Sequence, residues 1–127
     1  MKTIITTPNA AAPIGPYNQA NLINGFLYTS GQIALDPKTG ETLFDSIETE
    51  TKRVMKSLEA ILKAADMEFE HVIKTSIFIS DMDNFSNINE IYGSFFNEDT
   101  APARETVQVA KLPKNANVEI SLIAYKD

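Results

Sequence analysis

The sequence has 127 residues, of which 43% are hydrophobic and 22% are charged, and its formal net charge is −6 at pH 7. These values are typical of a folded domain and exclude an intrinsically disordered chain. The length predicts one domain over residues 1–127. Because acidic residues are in excess and no cluster of basic residues is evident, nucleic acid is not expected as a partner.

The sequence contains no cysteine, which excludes disulfides, thiolate zinc sites and a cysteine nucleophile. No apolar stretch of signal-peptide length precedes Pro8, and no later stretch is long enough to span a membrane. We therefore expect a cytoplasmic protein without a membrane partner. The only histidine, His71, is expected at the surface. The sequence offers no set of metal ligands and no cofactor-binding motif, so neither a metal nor a cofactor is expected.

The first third of the sequence predicts short strands and tight turns. Residues 2–7 are rich in β-branched side chains and end at Pro8. Residues 22–35 predict a hairpin, because Asn24-Gly25 is a favoured two-residue turn between apolar and aromatic segments. Residues 36–40 predict a second turn.

A first helix is predicted to begin near residue 45, where Asp45 and Glu48 resemble a capping box. Its apolar residues keep a helical period, and they are Ile47, Val54, Leu58, Ile61, Leu62 and Ala65. A second helix is predicted after Asp83 or Asn84, either of which could cap it. Its buried stripe consists of Phe85, Ile88, Tyr92 and Phe95.

Three further strands are predicted at residues 71–79, 103–109 and 117–125. The order of strands, helix, strand, helix and strands predicts an α+β fold, a mixed sheet with two helices packed on one face. Alternation in the last strand separates two sets of side chains. Val118, Ile120, Leu122 and Ala124 point one way, and Glu119, Ser121, Ile123 and Tyr125 point the other way. The second set is both polar and apolar, which suits a subunit interface that contains a site.

Arg104 lies where an Ala-Pro-Ala turn enters a strand, and alternation places Thr106 and Gln108 on its side. Its guanidinium could bind a carboxylate at two points, although a solvated or ion-paired arginine is the more frequent case. Glu119 lies between two apolar residues, where a carboxylate costs free energy unless it is paired. A structural partner for Arg104 and a base that orients water are equally consistent with its position.

Three more polar positions have two interpretations each. Asn89 shares a helix face with Phe85 and Tyr92, so it could cap a loop or contact a ligand. Tyr17 and Ser30 lie next to glycines, where the backbone can approach a ligand closely. Either pattern is also that of an ordinary turn.

Four stretches together resemble the Rid family over nearly the whole chain. They are IGPYNQA (14–20), YTSGQIALDPKTGE (28–41), VIKTSIFISDMDNFSNINEIYGSFF (72–96) and APARETVQVAKLPKNANVEISLIA (101–124). The last is the most specific, because it combines Pro-Ala-Arg, Lys-Leu-Pro and a strand with a glutamate. The resemblance implies a chorismate-mutase-like fold that assembles as a homotrimer with clefts between subunits.

The resemblance also implies an activity, the cofactor-free hydrolysis of 2-aminoacrylate and related 2-iminoacids to 2-oxoacids and ammonia. By this likeness Arg104 binds the substrate carboxylate, and Glu119 orients or activates water. The matching positions that line the cleft are Tyr17, Ser30, Gly31 and Asn89, and Thr106 stands where many members have cysteine. Glu105 is a second departure, because members often carry a small residue there. It should point to the opposite face, although it could compete for Arg104.

Two other functions remain open at the level of sequence. The first is a non-catalytic trimer that binds a small carboxylate and regulates a partner. Rid-like proteins without deaminase activity lack the arginine, so Arg104 favours the enzyme. The second, ribonuclease or translation inhibitor, has also been attached to the family, and the acidic balance of this chain disfavours it.

Overall fold

The computed structural model describes Met1–Asp127 and contains six β-strands and two α-helices. In chain order they are β1 (Thr3–Ile5), β2 (Ala20–Ile23), β3 (Phe26–Thr29), α1 (Ile47–Ala64), β4 (Val72–Ile79), α2 (Phe85–Gly93), β5 (Ala103–Gln108) and β6 (Val118–Tyr125). Single 3₁₀ turns precede β4, α2, β5 and β6. Neither α-helix combines the length and the apolarity needed to cross a membrane.

The strands form one mixed sheet in the order β1-β2-β3-β6-β4-β5. Only β4 and β5 pair in parallel, and α2 connects them, as a parallel crossover requires. Both helices pack on the same face of the sheet, and the side without helices is called the open face below. The predicted α+β class is confirmed.

The core lies between the helices and the sheet. Val54, Leu58 and Ile61 of α1 are fully buried, and so are the inward residues of β6. Burying one such side chain contributes about 1.5–3 kcal/mol. The predicted alternation of the last strand is confirmed, because Val118, Ile120, Leu122 and Ala124 are buried and their neighbours are not.

The ends of the elements correct several predictions. Ser46, not Asp45, caps α1, because its hydroxyl accepts the Thr49 N–H at 3.1 Å. The side chain of Asn84 makes no capping bond, and Asp81 instead accepts the Asp83 N–H in the preceding 3₁₀ turn. A serine directly before Ile47 fits the cap geometry better than an aspartate one residue earlier.

The hairpin turn at Asn24-Gly25 is confirmed, and both residues have positive φ. Its second strand, however, ends at Thr29, and Gln32 and Leu35 form only isolated bridges. His71 lies in a 3₁₀ turn before β4 and is partly buried. Its Nδ1 accepts the Glu68 N–H at 2.9 Å, so it supports a turn and is not simply a surface residue.

Candidate functional site

Arg104 and Glu119 lie on opposite faces of the sheet. Arg104 pairs with Thr75, which is buried beneath the helices. Glu119 pairs with Phe78, three residues further along β4 and therefore on the open face. No hydrogen bond or ion pair joins Arg104 to Glu119. Within one chain, the interpretation of Glu119 as the structural partner of Arg104 is therefore wrong.

Helix α2 orients the guanidinium of Arg104. Its Nη1 donates to Asn89 Oδ1 at 2.6 Å, and its Cζ lies 5.2 Å from the ring centre of Tyr92 and 5.7 Å from that of Phe85. The Tyr92 hydroxyl is in turn 2.7 Å from Thr75 Oγ1. The side chain of Asn89 therefore contacts Arg104 and does not cap a loop. The other N–H groups of the guanidinium have no partner in the chain and can bind a carboxylate.

Thr106 lies beside Arg104, in a shallow cavity that Met82, Phe85 and Ser86 complete. The Thr106 Oγ1 is buried and has no hydrogen-bond partner. A buried hydroxyl without a partner costs about 1–3 kcal/mol, which a polar ligand atom could offset. Thr106 therefore places a hydroxyl without a hydrogen-bond partner beside Arg104.

Glu105 does not compete for Arg104. Its side chain lies on the open face, where Lys74 Nζ is 2.7 Å from one carboxylate oxygen and Ser76 donates to the other. The hydrogen bond from Lys74, and to a smaller extent the one from Ser76, hold the pKa of Glu105 below its usual value. The expected orientation of Glu105 is confirmed, and the guanidinium of Arg104 remains available.

The remaining predicted residues line a second cavity of about 680 Å³, called the Glu119 cavity below. Tyr17, Ser30, Gly31 and Glu119 all contribute to its wall. Apolar side chains from the segments before and after Ser30 complete it, including Ala12, Ile14, Ile33 and Leu35. The structure therefore brings these four residues together and leaves Arg104, Asn89 and Thr106 in a separate group.

The carboxylate of Glu119 is partly buried and makes no hydrogen bond within the chain, and burial raises its pKa. It rests directly on Gly31, because a Cβ added to Gly31 would lie 2.6 Å from Glu119 Oε2. Ser30 is anchored beside it, since its hydroxyl donates to the Asn18 carbonyl at 2.6 Å. Glu119 is thus a carboxylate without a partner at the wall of a cavity, as a proton acceptor requires.

Glu50 supports this arrangement, and it was not identified as a structural residue from the sequence. It lies on α1, is fully buried, and accepts the N–H and the Nδ2–H of Asn117, both at 2.7 Å, and the N–H of Val118 at 3.3 Å. These bonds fix the start of β6 directly before Glu119. A signal was available, because Glu50 precedes Val54 and Leu58 by four and eight residues on the apolar face of α1.

Gln19 fixes another wall of the Glu119 cavity. Its amide oxygen accepts the Thr7 N–H at 2.7 Å, and its Nε2 donates to the carbonyls of Thr7, Ala10 and Ala11. The side chain is buried, so these bonds tie the irregular segment before β2 to the sheet. No group of three or more His, Cys, Asp or Glu residues is arranged to hold a metal ion.

Comparison with known proteins gives consistent matches over the whole chain. The family described as Endoribonuclease L-PSP matches residues 7–126. A RutC family protein of Synechocystis is 50% identical over 122 residues, which cover 95% of this chain and 94% of that protein. The 2-iminobutanoate/2-iminopropanoate deaminase of Mus musculus is 42% identical over 126 residues, which cover 99% and 93%.

A solved structure agrees with these matches. The crystal structure of E. coli TdcF with bound serine has a TM-score of 0.92 and 38% identity, and the match covers 98% of this chain and 99% of that one. The fold, the family match and the related sequences therefore coincide over almost every residue. The resemblance found in the sequence is confirmed, and the chain belongs to the Rid family, also described as Endoribonuclease L-PSP.

Proposed function

We propose that this protein is a cofactor-independent deaminase that hydrolyses 2-iminoacids, including 2-aminoacrylate after its tautomerisation, to 2-oxoacids and ammonia. The observation that carries the proposal is the pair of unsatisfied groups described above. A guanidinium with free N–H groups and a partly buried carboxylate without a partner are the two groups that this hydrolysis needs.

The reaction uses each group once. The N–H groups of Arg104 bind the substrate carboxylate and hold the iminium carbon in place. Water attacks that carbon while Glu119 accepts a proton from the water, which gives a carbinolamine. Glu119 then returns the proton to the nitrogen and takes up the hydroxyl proton as the C–N bond breaks and the carbonyl of the 2-oxoacid forms. This last proton leaves with the ammonia as ammonium, and Glu119 is ionised again. Atoms and charges balance without a metal or a cofactor.

A complete site needs two chains, because Arg104 and Glu119 lie on opposite faces of one sheet. We propose a homotrimer in which the edge strand β5 of one subunit faces the Glu119 cavity of the next. Head-to-tail contacts of this kind close into a ring when the rotation allows it. The open face supports such packing, since Tyr28, Val107 and Tyr125 are large side chains left exposed on it.

Two relatives support the choice of substrate class. The mouse relative carries the name of a 2-iminobutanoate/2-iminopropanoate deaminase, and the solved TdcF structure holds serine, a small amino acid with a carboxylate. A small 2-iminoacid has the same carboxylate and carbon skeleton. Thr106 would contact the substrate next to Arg104, and its free hydroxyl suits a polar group there.

The test is a coupled assay in which a pyridoxal-phosphate dehydratase releases the imine from serine or threonine and semicarbazide traps what is not hydrolysed. Arg104→Lys should lower kcat/KM about 30- to 1000-fold, because an ammonium group cannot replace the planar guanidinium. Arg53→Lys is the matched control, since it makes the same change at the only other arginine and should keep the activity.

Each outcome of this assay has a consequence. Faster 2-oxoacid release with the wild type and with Arg53→Lys, but not with Arg104→Lys, supports the proposal. Equal activity in all three proteins refutes the role of Arg104. If the wild type gives no acceleration, the deaminase proposal fails, and a non-catalytic trimer that binds small carboxylates takes its place.

A further inference from the structure

The chain has only two arginines, and the second, Arg53, has no partner. Arg53 lies on α1 and is partly buried, and its guanidinium makes no hydrogen bond or ion pair within the chain. The Nε atom is buried and unpaired. Leaving a charged donor without an acceptor costs more than leaving a neutral one. The two Nη atoms of Arg53 are unpaired and are not buried like Nε, so they can take an acceptor from outside the chain.

Arg53 opens into a cavity of about 540 Å³, called the α1 cavity below. Two lysines of the same helix, Lys56 and Lys63, line it together with Arg53. Thr7 and Asn9, which both have polar side chains, also line the α1 cavity. The sequence indicated no cluster of basic residues, but the helical period brings three cations to one cavity in a chain whose net charge is −6.

Two nearby carboxylates offset part of this positive charge without forming an ion pair with Arg53 or Lys63. Glu59 is in the wall of the α1 cavity, and Lys56 Nζ lies 3.4 Å from its Oε1. Asp36, on the neighbouring turn, accepts the N–H groups of Lys38 and Thr39 at 2.8 and 3.0 Å and lies outside ion-pair distance of Arg53. Its pKa is lowered by the N–H groups of Thr39 and Lys38 and, to a smaller extent, by the charge of Arg53. Arg53 and Lys63 therefore remain unpaired.

We propose that the α1 cavity binds a phosphate-type oxyanion, either inorganic phosphate or the phosphoryl group of a small organic phosphate. The guanidinium supplies N–H groups in a planar arrangement, and the Lys63 ammonium adds a second charge from the same side. Thr7 and Asn9 line the same cavity, where the Thr7 hydroxyl accepts the Asn9 N–H at 3.2 Å and keeps its own O–H free to donate. A phosphoryl group has several strongly accepting oxygens and can therefore accept from more than one of these donors.

The α1 cavity is separate from the proposed deaminase site. Helix α1 covers the face of the sheet opposite to the open face, so packing of the open face against another subunit leaves the outer side of α1 accessible. Arg104 differs from Arg53 because Asn89 and two aromatic rings hold it. The oxyanion site therefore does not depend on the proposed function, and either can fail without the other.

The experiment uses the Nε–H resonances of the full chain labelled with ¹⁵N. Only Arg53 and Arg104 contribute, so two signals are expected, and each is assigned from its Gln variant. Inorganic phosphate and phosphoserine are titrated separately at constant ionic strength, with sodium chloride as the reference titration. We expect a saturable shift of the Arg53 signal with at least one phosphate compound, and no comparable shift of the Arg104 signal with inorganic phosphate.

Isothermal titration calorimetry then compares three variants. Arg53→Gln should weaken phosphate binding by about tenfold or more, as the loss of a charge-assisted contact implies. Lys63→Gln should weaken it as well, which keeps the test valid if Arg53→Gln does not fold. Lys52→Gln is the matched control, because Lys52 is an exposed residue of α1 that does not line the α1 cavity and should leave binding unchanged.

Comparing the two phosphate compounds shows whether the site binds inorganic phosphate or requires an organic phosphate. Saturation with phosphoserine alone assigns the site to organic phosphates, and saturation with both assigns it to the phosphoryl group itself. An Arg53 signal that does not move, or that moves as it does with chloride, overturns the proposal. Equal weakening by Lys52→Gln and Arg53→Gln overturns it too, because binding would then reflect only the general charge of α1.

Discussion

The carboxylate of Glu119 occupies the space that a side chain at position 31 would take. An added Cβ would lie 2.6 Å from Oε2 and 2.7 Å from Cδ of Glu119, distances that real Cβ atoms do not reach. The side chain of Glu119 can move away because it is not hydrogen-bonded. A substitution of Gly31 should therefore leave the fold intact but displace the carboxylate and disrupt the site. Gly31 is therefore required by the position of the carboxylate and not by an unusual φ angle.

Gly31→Ala should lower turnover by about 100-fold, because a displacement of about 1 Å in a reacting group costs that much. The coupled dehydratase assay measures the loss, and circular dichroism verifies the fold. Gly93→Ala is the control, since an added Cβ there meets no atom within 4 Å. Full activity in Gly31→Ala would mean that the carboxylate of Glu119 has no required position, which contradicts its proposed role.

The pKa of Glu119 sets the expected pH dependence of the reaction. Burial raises this pKa above the ordinary value of 4.5. A base must be ionised, so kcat/KM should fall as the pH falls through the raised pKa. Glu119→Gln should have low activity and should lack this acidic limb. The measurement is kcat/KM against pH with the dehydratase in excess at every point, and an unchanged limb in the variant would assign it to another group.

The same shift predicts an effect on stability. Because the pKa is higher in the folded chain than in the unfolded chain, this carboxyl contributes stability that is present at low pH and lost as the pH rises through the folded-state value. Glu119→Gln should therefore raise the urea midpoint at pH 7 but not at pH 4. Glu48→Gln, an exposed residue of α1, is the control and should change neither midpoint. A lower midpoint for Glu119→Gln at pH 7 would contradict the expected sign.

At the level of elements, Glu50 joins α1 to the start of β6. Its carboxylate accepts three N–H groups of Asn117 and Val118, and no other side chain accepts a hydrogen bond from these three groups. Glu50→Gln should cost about 1–3 kcal/mol in the free energy of unfolding, because an amide offers one acceptor oxygen and turns an NH₂ group toward buried donors. Urea denaturation at a fixed protein concentration measures it, and Glu48→Gln should stay within about 0.5 kcal/mol of the wild type.

The elements that the sequence predicted well are those with a clear period. The alternation in β6 and the apolar stripe of α1 identified the buried residues, since burial is what those periods encode. The cap of α1 was misplaced by one residue because Asp45 and Ser46 are both good cap residues and only backbone geometry separates them. Alternation within β5 also placed Glu105 correctly on the face opposite to Arg104.

The relation between distant residues could not be predicted from the period of any single strand. Whether Arg104 and Glu119 share a face depends on how β5 and β6 each pair with β4, and the sequence of neither strand states that register. Glu50 was missed for a similar reason, because its partners lie in a loop 67 residues away. The resemblance to the family supplied the site residues, and pairing across the sheet separated them into two groups.

At the level of the whole molecule, the open face is consistent with the proposed assembly of several chains. It carries exposed aromatic side chains next to a Lys74–Glu105 ion pair, a mixture that is usual in interfaces and unusual in solvent-exposed surfaces. The Glu119 cavity and the Arg104 group lie on the two sides of the same sheet. An assembly that covers the open face of one copy can therefore also bring the two groups together across a subunit boundary.

Mixed subunits test this arrangement directly. Arg104→Lys and Glu119→Gln should each be nearly inactive alone, but equal amounts unfolded and refolded together should recover about a quarter of the wild-type activity. In a head-to-tail ring, each site takes Arg104 from one subunit and Glu119 from the next, and both are intact in about one site of four when subunits mix at random.

The control mixes the two proteins without unfolding, which should restore nothing while the rings stay intact. Sedimentation equilibrium verifies that the refolded species is a trimer. No recovery in refolded trimers would show that each site lies within one chain, and a stable monomer at micromolar concentration would remove the shared site altogether.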